Sequence, residues 1–160
     1  MFSPKRILVP TDFSEFSGQA FRQAIDLAKQ LNAKIYLLHV INVGAQQCVA
    51  DYCLSAVIMK RIENESIVST DENLKKEVRM YCGSGDVEII PILKKGFPEE
   101  EIIKEQGEKK IDLIVMASHG KKGFMKHLIG SVAERVMQGA TCPVLLVKNE
   151  LAPHGRKKSV

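Results

Sequence analysis

The sequence predicts an α/β fold: a single domain built on a doubly wound, five-stranded parallel sheet of Rossmann-like type. Three observations lead to this prediction. Five short apolar runs alternate with segments whose apolar residues recur at helical spacing, which is the pattern of consecutive strand–helix units. The runs are apolar throughout, as expected for strands that helices cover on both faces. The length of 160 residues suits one core.

The first strand–helix–strand unit occupies the N-terminal quarter of the chain. The first predicted strand is "RILVP", residues 6–10, which ends at a proline. Apolar residues at helical spacing follow between Ser14, a predicted N-cap, and Asn32, a predicted C′ residue. The second predicted strand is "KIYLLHVI", residues 34–41.

The middle of the chain predicts a helical region and a strand at the edge of the sheet. Helical spacing extends from Ala50 to Cys82, but the polar stretch "ENESIVSTDEN" fits either a break or an exposed turn of one long helix. The third predicted strand is "DVEIIPIL", residues 86–93. Pro91 cannot donate a ladder hydrogen bond and therefore indicates an edge position.

The last part of the domain predicts two helices and two strands. A short helix begins with Pro98 at its first position and has Gly107 as its C′ residue. The fourth strand is "IDLIVMAS", residues 111–118, and the fifth is "PVLLVK", residues 143–148. The helix "SVAERVMQGA" lies between them.

Composition and charge argue against several classes of protein. The net charge of +4 lies partly on residues 150–160, a predicted flexible basic tail that follows a domain of residues 1–149. We therefore expect no nucleic-acid partner, because such proteins usually show a clustered basic face. No apolar run approaches the roughly 18 residues of a membrane span. The four cysteines form no CxxC pair, so we expect no metal site. We also expect a cytoplasmic protein without a secretory leader, whose thiols are reduced.

Two loops follow strands at the edge of the sheet where doubly wound folds bind ligands. These are "PTDFSE" after the first strand and "ASHGKKGFMKHLIG" after the fourth. The second loop exceeds the usual connection of about 2–6 residues. It carries two glycines before its end and three lysines, Lys121, Lys122 and Lys126. If the first and fourth strands are neighbours, both loops face one crevice.

The helix that begins after Gly130 has two compatible interpretations. Ser131 followed by Glu134 matches a capping box. Free amide groups after a glycine also match an anion site. The glycines and lysines of "HGKKG" favour a phosphate-binding loop, although the chain contains neither a Walker A loop nor G-x-G-x-x-G.

These residues resemble the universal stress protein family, whose ATP-binding members carry G-x2-G-x9-G-[ST]. Nine residues separate Gly120 from Gly130, which Ser131 follows, and Ala117 stands at the position of the first glycine. The segments "ILVPTDFSE", "LLHV", "KKGFPEEEI" and "ATCPVLLVK" also resemble the family pattern. The similarity covers Lys5 to Lys148 and supports the predicted fold.

The resemblance implies a site for ATP, accompanied by Mg²⁺ or Mn²⁺ held mainly by the phosphates and water. Asp12 would lie beside the ribose and phosphates, with Pro10 and Thr11 forming the same wall. Val40 would meet the adenine. Asp12 also fits a bland alternative, in which it caps the first helix together with Glu15.

The residues around the fourth strand complete this implied site. Met116, Ala117 and Gly120 would border the ribose and the start of the phosphate chain, and His119 would line the pocket. An alanine at position 117 would weaken ATP binding about tenfold if the backbone there needs a positive φ. The β- and γ-phosphates would be bound at the start of the last helix, by Gly130, Ser131 and Val132.

The resemblance implies a cytoplasmic, ATP-binding regulatory protein of the stress response that acts as a homodimer. The last strand is apolar and would leave an exposed edge, so we expect Val144 and Leu146 at the dimer interface. No general base for phosphoryl transfer is evident, so no catalytic residue is assigned. The alternatives are a nucleotide-free dimeric interaction module, in which Ala117 marks a decayed site, and a slow ATPase.

Overall fold

The computed structural model describes residues 2–43, 56–81, 85–120 and 129–148. Its strands are β1 (Arg6–Pro10), β2 (Lys34–Asn42), β3 (Ile89–Gly96), β4 (Leu113–Ala117) and β5 (Val144–Val147). Its helices are α1 (Glu15–Leu31), α2 (Ala56–Tyr81), α3 (Pro98–Glu108) and α4 (Ser131–Gly139). The basic tail of residues 150–160 lies outside the described residues.

The strands form one parallel sheet in the order β3-β2-β1-β4-β5. The chain moves outward from β1 to β3 and then crosses back to β4, which pairs with β1 on its other side. Ile7 pairs with Leu113 and Leu8 with Ile114. The predicted fold class is confirmed, and the carboxyl ends of β1 and β4 are neighbours.

Helices cover both faces of the sheet. We call the face under α1 and α2 the first face and the face under α3 and α4 the second face. Ile7 and Val9 belong to the core of the first face, and Leu8 belongs to the core of the second. All three side chains are 0% exposed. This burial on both sides explains why β1 is apolar at consecutive positions.

The β1–β4 pairing is reinforced at its amino end by Asp112. Its Oδ2 accepts hydrogen bonds from the amides of Lys5, at 3.0 Å, and Arg6, at 2.9 Å. These partners are 107 and 106 residues apart in sequence. The start of the chain is therefore fixed to the strand that follows α3.

The polar stretch within the middle helical region does not interrupt it, because α2 is continuous from Ala56 to Tyr81. Among the residues whose side chains are described, those in its C-terminal half contact the first face: Leu74 is fully buried, and Val78 and Tyr81 pack beside it. The polar stretch lies on an exposed part of the helix. The predicted residues 50–55 and Cys82 lie outside the described residues.

The predictions for the end of α1 and the start of α3 are confirmed, and the prediction for the end of α3 is wrong. Asn32 ends α1 in the left-handed conformation, and Pro98 is the first residue of α3. Gly107, however, is not the C′ residue of α3. The helix continues to Glu108, and Lys110 takes the left-handed conformation with φ 49°. Amides of Lys110 and Ile111 donate to carbonyls of the last turn, as in a Schellman motif, and this fixes the end.

The two outer strands have different characters. Pro91 lies in β3, which is an edge strand as predicted. At the other edge, Val144 and Leu146 of β5 are half-buried and pack against the core of the second face, while Leu145 is 38% exposed on the opposite side. Within the described part of the chain, no helix is long and apolar enough to cross a membrane.

Candidate functional site

The turn after β1 is organised by Asp12 and Ser14. Oδ1 of Asp12 accepts hydrogen bonds from the amide of Ser14, at 3.0 Å, and from its hydroxyl, at 2.5 Å. Ser14 is the N-cap of α1, as predicted, and its hydroxyl accepts from the amide of Ser17. Asp12 therefore shapes the turn before the helix, and the alternative in which it is the cap itself is wrong.

The second oxygen of Asp12 faces Gly120. Oδ2 lies 2.8 Å from the point where a Cβ on Gly120 would stand. Because that distance is too short for a real contact with a carbon atom, a glycine is needed for the β4–α4 connection to approach the carboxylate this closely. Residues from the ends of the two paired strands thus meet at the carboxyl edge of the sheet.

Gly130, at the end of the β4–α4 connection, lies next to Ser118, where that connection begins. Its amide donates a 2.8 Å hydrogen bond to the carbonyl of Ser118. A Cβ on Gly130 would lie 3.3 Å from that same carbonyl oxygen and 3.6 Å from Cα of His119. Asp12, Gly120 and Gly130, predicted from separate parts of the sequence, are therefore gathered in one place. Gly123 and the three lysines of the loop lie outside the described residues.

The start of α4 differs from the predicted capping box. Gly130 is the N-cap and makes no side-chain cap hydrogen bond, while Ser131 is the first helical residue and is exposed. The capping box is wrong because the contact of Gly130 with Ser118 fixes the N-cap one residue earlier. The positive end of this helix is directed toward the crevice edge, where an anion is favoured.

Ser118 and His119 form a hydrogen-bonded pair beside the glycines. The buried Ser118 donates its amide to the carbonyl of Val147, and its hydroxyl lies 2.9 Å from Nδ1 of His119. Nε2 of His119 is buried and has no hydrogen-bond partner among the described residues.

Ala117 occupies an ordinary strand conformation. It is the last residue of β4, pairs with Val147, and packs against the core of the first face. The non-glycine residues of positive φ in the described part of the chain are Phe13, Asn32 and Lys110. The conformational cost considered for an alanine at position 117 therefore does not arise.

Several of the predicted site residues are packed in the core or paired within the sheet. Met116 is buried in the core of the second face, against which Val40 and Val132 also pack. Pro10 is the last residue of β1 and pairs with Leu38. These side chains support the crevice by packing.

Thr11 is also turned inward. It is 6% exposed, and its amide donates to the carbonyl of Leu38 at 2.8 Å. Its own carbonyl lies 2.8 Å from Nδ1 of His39, whose ring stacks on Phe13 with 4.3 Å between centroids. His39 is thus a hydrogen-bonded histidine near the carboxyl end of β2.

Glu77 of α2 is a residue of this region that the sequence did not single out. Its carboxylate accepts a hydrogen bond from Oγ1 of Thr11, with distances of 3.0 and 3.2 Å to its two oxygens. Burial raises the pKa of Glu77, Asp12 adds to the increase, and the hydrogen bond from Thr11 opposes it. The sequence does contain a signal for it: Glu77 is an acidic residue that lies between Leu74 and Val78 on the apolar stripe of α2.

A second buried carboxylate lies on the other face. Glu105 of α3 is 0% exposed, and its Oε1 lies 2.6 Å from Nζ of Lys94. The hydrogen bond to Glu105 raises the pKa of Lys94. Lys94 pairs in register with Val40 across β2 and β3, so this ion pair begins on the strand next to the residue expected to meet the adenine.

The described residues bring no three His, Cys, Asp or Glu side chains together in a group that could hold a metal ion. Cys142 has a free thiol, and the other three cysteines lie outside the described residues.

The fold and site define a class of protein. It is a Rossmann-like α/β protein with two glycines and an aspartate gathered at the sheet edge where the strand order reverses, which is where such sheets bind ligands. A sequence model of the universal stress protein family matches residues 4–148, and the chain belongs to this family.

Relatives of known sequence and structure agree with this membership. A universal stress protein of Methanocaldococcus jannaschii, MJ0531, is 38% identical over 144 residues, which cover 90% of this chain and 82% of the relative. The solved structure of MJ0577, from the same organism, superimposes with a TM-score of 0.79 at 28% identity, covering 95% of this chain and all of that one.

Two solved family members contain nucleotides. One is a universal stress protein in complex with cAMP, with a TM-score of 0.63 at 22% identity over 91% of this chain and 98% of that chain. The other, from Archaeoglobus fulgidus, is in complex with dAMP, with a TM-score of 0.63 at 21% identity over 92% of this chain and all of that chain. At these identities the comparisons establish the shared fold.

Proposed function

We propose that this chain binds ATP in the crevice between the carboxyl ends of β1 and β4 and acts as a regulatory protein of the stress response. The observation that carries the proposal is the meeting of Asp12, Gly120 and Gly130 at this edge. Two glycines leave the backbone bare beside a carboxylate and a helix start, which is the arrangement that lets amides approach phosphates.

The donors and acceptors present fit a triphosphate nucleotide. The first turn of α4, with the exposed Ser131 at its start, offers amides and a hydroxyl to the terminal phosphates. Nε2 of His119 is a buried nitrogen that a phosphate oxygen would satisfy. Mg²⁺ or Mn²⁺ would be held by the phosphates and water, with Asp12 as the acidic side chain at the crevice.

Family members support an adenine nucleotide as the ligand class. The relatives solved with cAMP and dAMP share this fold, and both of their ligands carry an adenine and a phosphate. The family motif favours ATP, since Gly120 and Gly130-Ser131 keep its spacing. We assign no catalytic residue and expect any hydrolysis to be slow.

We propose in addition that the protein is a cytoplasmic homodimer assembled through β5. Among the described residues, this strand pairs with β4 alone, and Leu145 is exposed on it. An apolar edge strand is a liability that pairing with a second copy removes. Val144 and Leu146 would lie at that seam.

Calorimetric titration of the purified protein with Mg-ATP, after extraction of bound nucleotide for mass spectrometry, tests the proposal. We expect binding by the wild type and by Gly107→Asp, whose substitution points into open space. We expect a large loss in Gly130→Asp, because a carboxylate at the N-cap of α4 would repel the phosphates proposed to bind there. Nucleotide-free protein with no response to Mg-ATP would support the interaction module, and product formation above the Gly130→Asp control would support a slow ATPase.

A further inference from the structure

Glu77 connects the long helix α2 to the turn that carries Asp12. Helix α2 lies on the first face, and Glu77 is half-buried one turn before Tyr81. Tyr81 in turn packs edge-on against Phe21 of α1, with 5.3 Å between ring centroids. The C-terminal part of α2 is therefore held firmly over α1, and Glu77 reaches from it toward the end of β1.

The partner of Glu77, Thr11, has every polar group engaged by the protein. Its amide and carbonyl bond to Leu38 and His39. Its hydroxyl accepts a hydrogen bond from the amide of Phe13, at 3.1 Å, lies 3.1 Å from Oγ of Ser17, and faces both oxygens of Glu77. A hydroxyl has one proton to donate, and the carboxylate of Glu77 is the charged acceptor that faces it.

The hydroxyl of Thr11 thereby fixes the turn on both sides of Asp12. It forms hydrogen bonds with the carboxylate of Glu77 and with the amide of Phe13, the residue after Asp12. Phe13 has a φ of 60°, a strained conformation for a side-chain-bearing residue that the surroundings must maintain. Asp12, between these two anchored residues, is left with Oδ2 directed at Gly120.

We propose that Glu77 is a positioning residue of the nucleotide site, which holds Thr11 so that Asp12 keeps its orientation toward Gly120. This inference rests on the proposed function, because it assigns Glu77 a role in the same site. Nucleotide affinity would depend on helix α2, because this helix carries Glu77 and places it against Thr11. Affinity would then respond to how the end of α2 packs on the sheet.

Two neutral substitutions of similar size separate the hydrogen bond from the charge. Glu77→Gln keeps an oxygen that accepts from Thr11, and Glu77→Met does not. We expect Glu77→Gln to bind Mg-ATP within about twofold of the wild type and Glu77→Met to bind about tenfold more weakly, as for one lost hydrogen bond to a held group. Glu72→Met, on an exposed position of the same helix, is the control and should bind as the wild type does.

A double-mutant cycle shows whether Glu77 acts through Thr11. Thr11→Val removes the hydroxyl, and we expect the double variant Thr11→Val/Glu77→Met to bind no more weakly than the weaker single variant. Additive losses would overturn the inference, since Glu77 would then act by another route. Equal affinity of Glu77→Met and the wild type would overturn it as well.

Amide hydrogen exchange provides a readout that needs no nucleotide. The amide of Ser14 donates to Asp12, so release of the turn should speed its exchange in Glu77→Met and leave it unchanged in Glu77→Gln. If the Ser14 amide exchanges at the wild-type rate in Glu77→Met, the inference is overturned, whatever the stability of that variant. A wild type that binds no adenine nucleotide would overturn the proposed function and this inference together, whereas the outcomes above overturn this inference alone.

Discussion

Asp12 and Gly120 follow strands that pair side by side, and Oδ2 of Asp12 lies 2.8 Å from the place of a Cβ on Gly120. The other oxygen of this carboxylate is held by Ser14, so the side chain has a defined direction. A side chain at position 120 would force the carboxylate of Asp12 out of this orientation. The proximity also gives the site a feature that substitutions can test.

Replacing Gly120 by alanine should weaken nucleotide binding more than it weakens the fold. The new methyl group displaces the end of a flexible side chain, so the protein can fold with Asp12 turned away. We expect the affinity for Mg-ATP, measured by calorimetry, to fall by at least about tenfold. Gly107→Ala, which meets no atom within 4 Å, is the matched control. Wild-type affinity in Gly120→Ala would show that the orientation of Asp12 is irrelevant to binding.

Replacing Ala117 by glycine should leave nucleotide affinity within about twofold of the wild type. Ala117 has a strand conformation and pairs with Val147, so a glycine relieves no backbone strain. The free energy of unfolding should fall by about 0.5–1 kcal/mol because glycine is more flexible in the unfolded chain. Calorimetry and urea unfolding measure the two effects. A large gain of affinity would mean that the methyl group obstructs the nucleotide.

The raised pKa of Glu77 predicts how stability varies with pH. The folded protein keeps this proton to a higher pH than the unfolded chain, whose ordinary value is 4.5. Its contribution to stability is therefore present below pH 4.5 and is lost as the pH rises through the raised value. Glu77→Gln cannot ionise and should show no such loss, so its free energy of unfolding should increase relative to the wild type as the pH is raised.

Urea unfolding of wild type and Glu77→Gln over a series of pH values measures this difference. Glu72→Gln, at an exposed site of α2, is the control and should follow the wild-type curve. Parallel curves for wild type and Glu77→Gln would contradict the role given to burial of Glu77.

Removing one member of the ion pair between Lys94 and the fully buried Glu105 should lower the stability of the fold. Lys94→Met leaves a buried carboxylate without its cation and should lower the free energy of unfolding by about 2–4 kcal/mol. The double variant Lys94→Met/Glu105→Leu removes both charges and should regain most of that loss. Lys95→Met, which breaks the exposed pair with Glu63, should cost less than about 1 kcal/mol. No recovery in the double variant would mean that Glu105 is needed for more than its partner.

Replacing Val144 by lysine should shift the proposed dimer toward monomer in sedimentation velocity. Val144 lies on the edge strand β5, where a lysine opposes pairing with a second copy. Met137→Lys, on an exposed position of α4, is the control. Circular dichroism establishes that both variants fold, since Val144 also contacts the core. An unaltered dimer in Val144→Lys would place the interface elsewhere.

Local patterns in the sequence were sufficient for most of the fold. The strand of residues 6–10 is found with its predicted bounds, because a run buried on both faces ends at Pro10. Asn32 and Pro91 also behave as their backbone chemistry indicates. Each of these features depends on residues close together in sequence, or on the backbone of one residue.

Features that depend on distant contacts were not predictable in this way. Ser131 is not an N-cap because Gly130 bonds to Ser118, a contact that the loop closes only in the folded chain. The role of Glu77 depends on Thr11, which is 66 residues away. Its place on an apolar stripe is visible in the sequence, but its partner is not.

The attachment of Asp112 to Lys5 and Arg6 has a consequence for biosynthesis. A nascent chain on the ribosome can bring β1 and β2 together early, but β1 gains its second neighbour only after more than 100 further residues have emerged. Until then one side of the central strand has unsatisfied backbone groups and exposed apolar surface, a state prone to aggregation. The edge between β1 and β4 cannot form before that late step, so a half-synthesised chain has no place for the proposed nucleotide, whose binding would stabilise the finished protein.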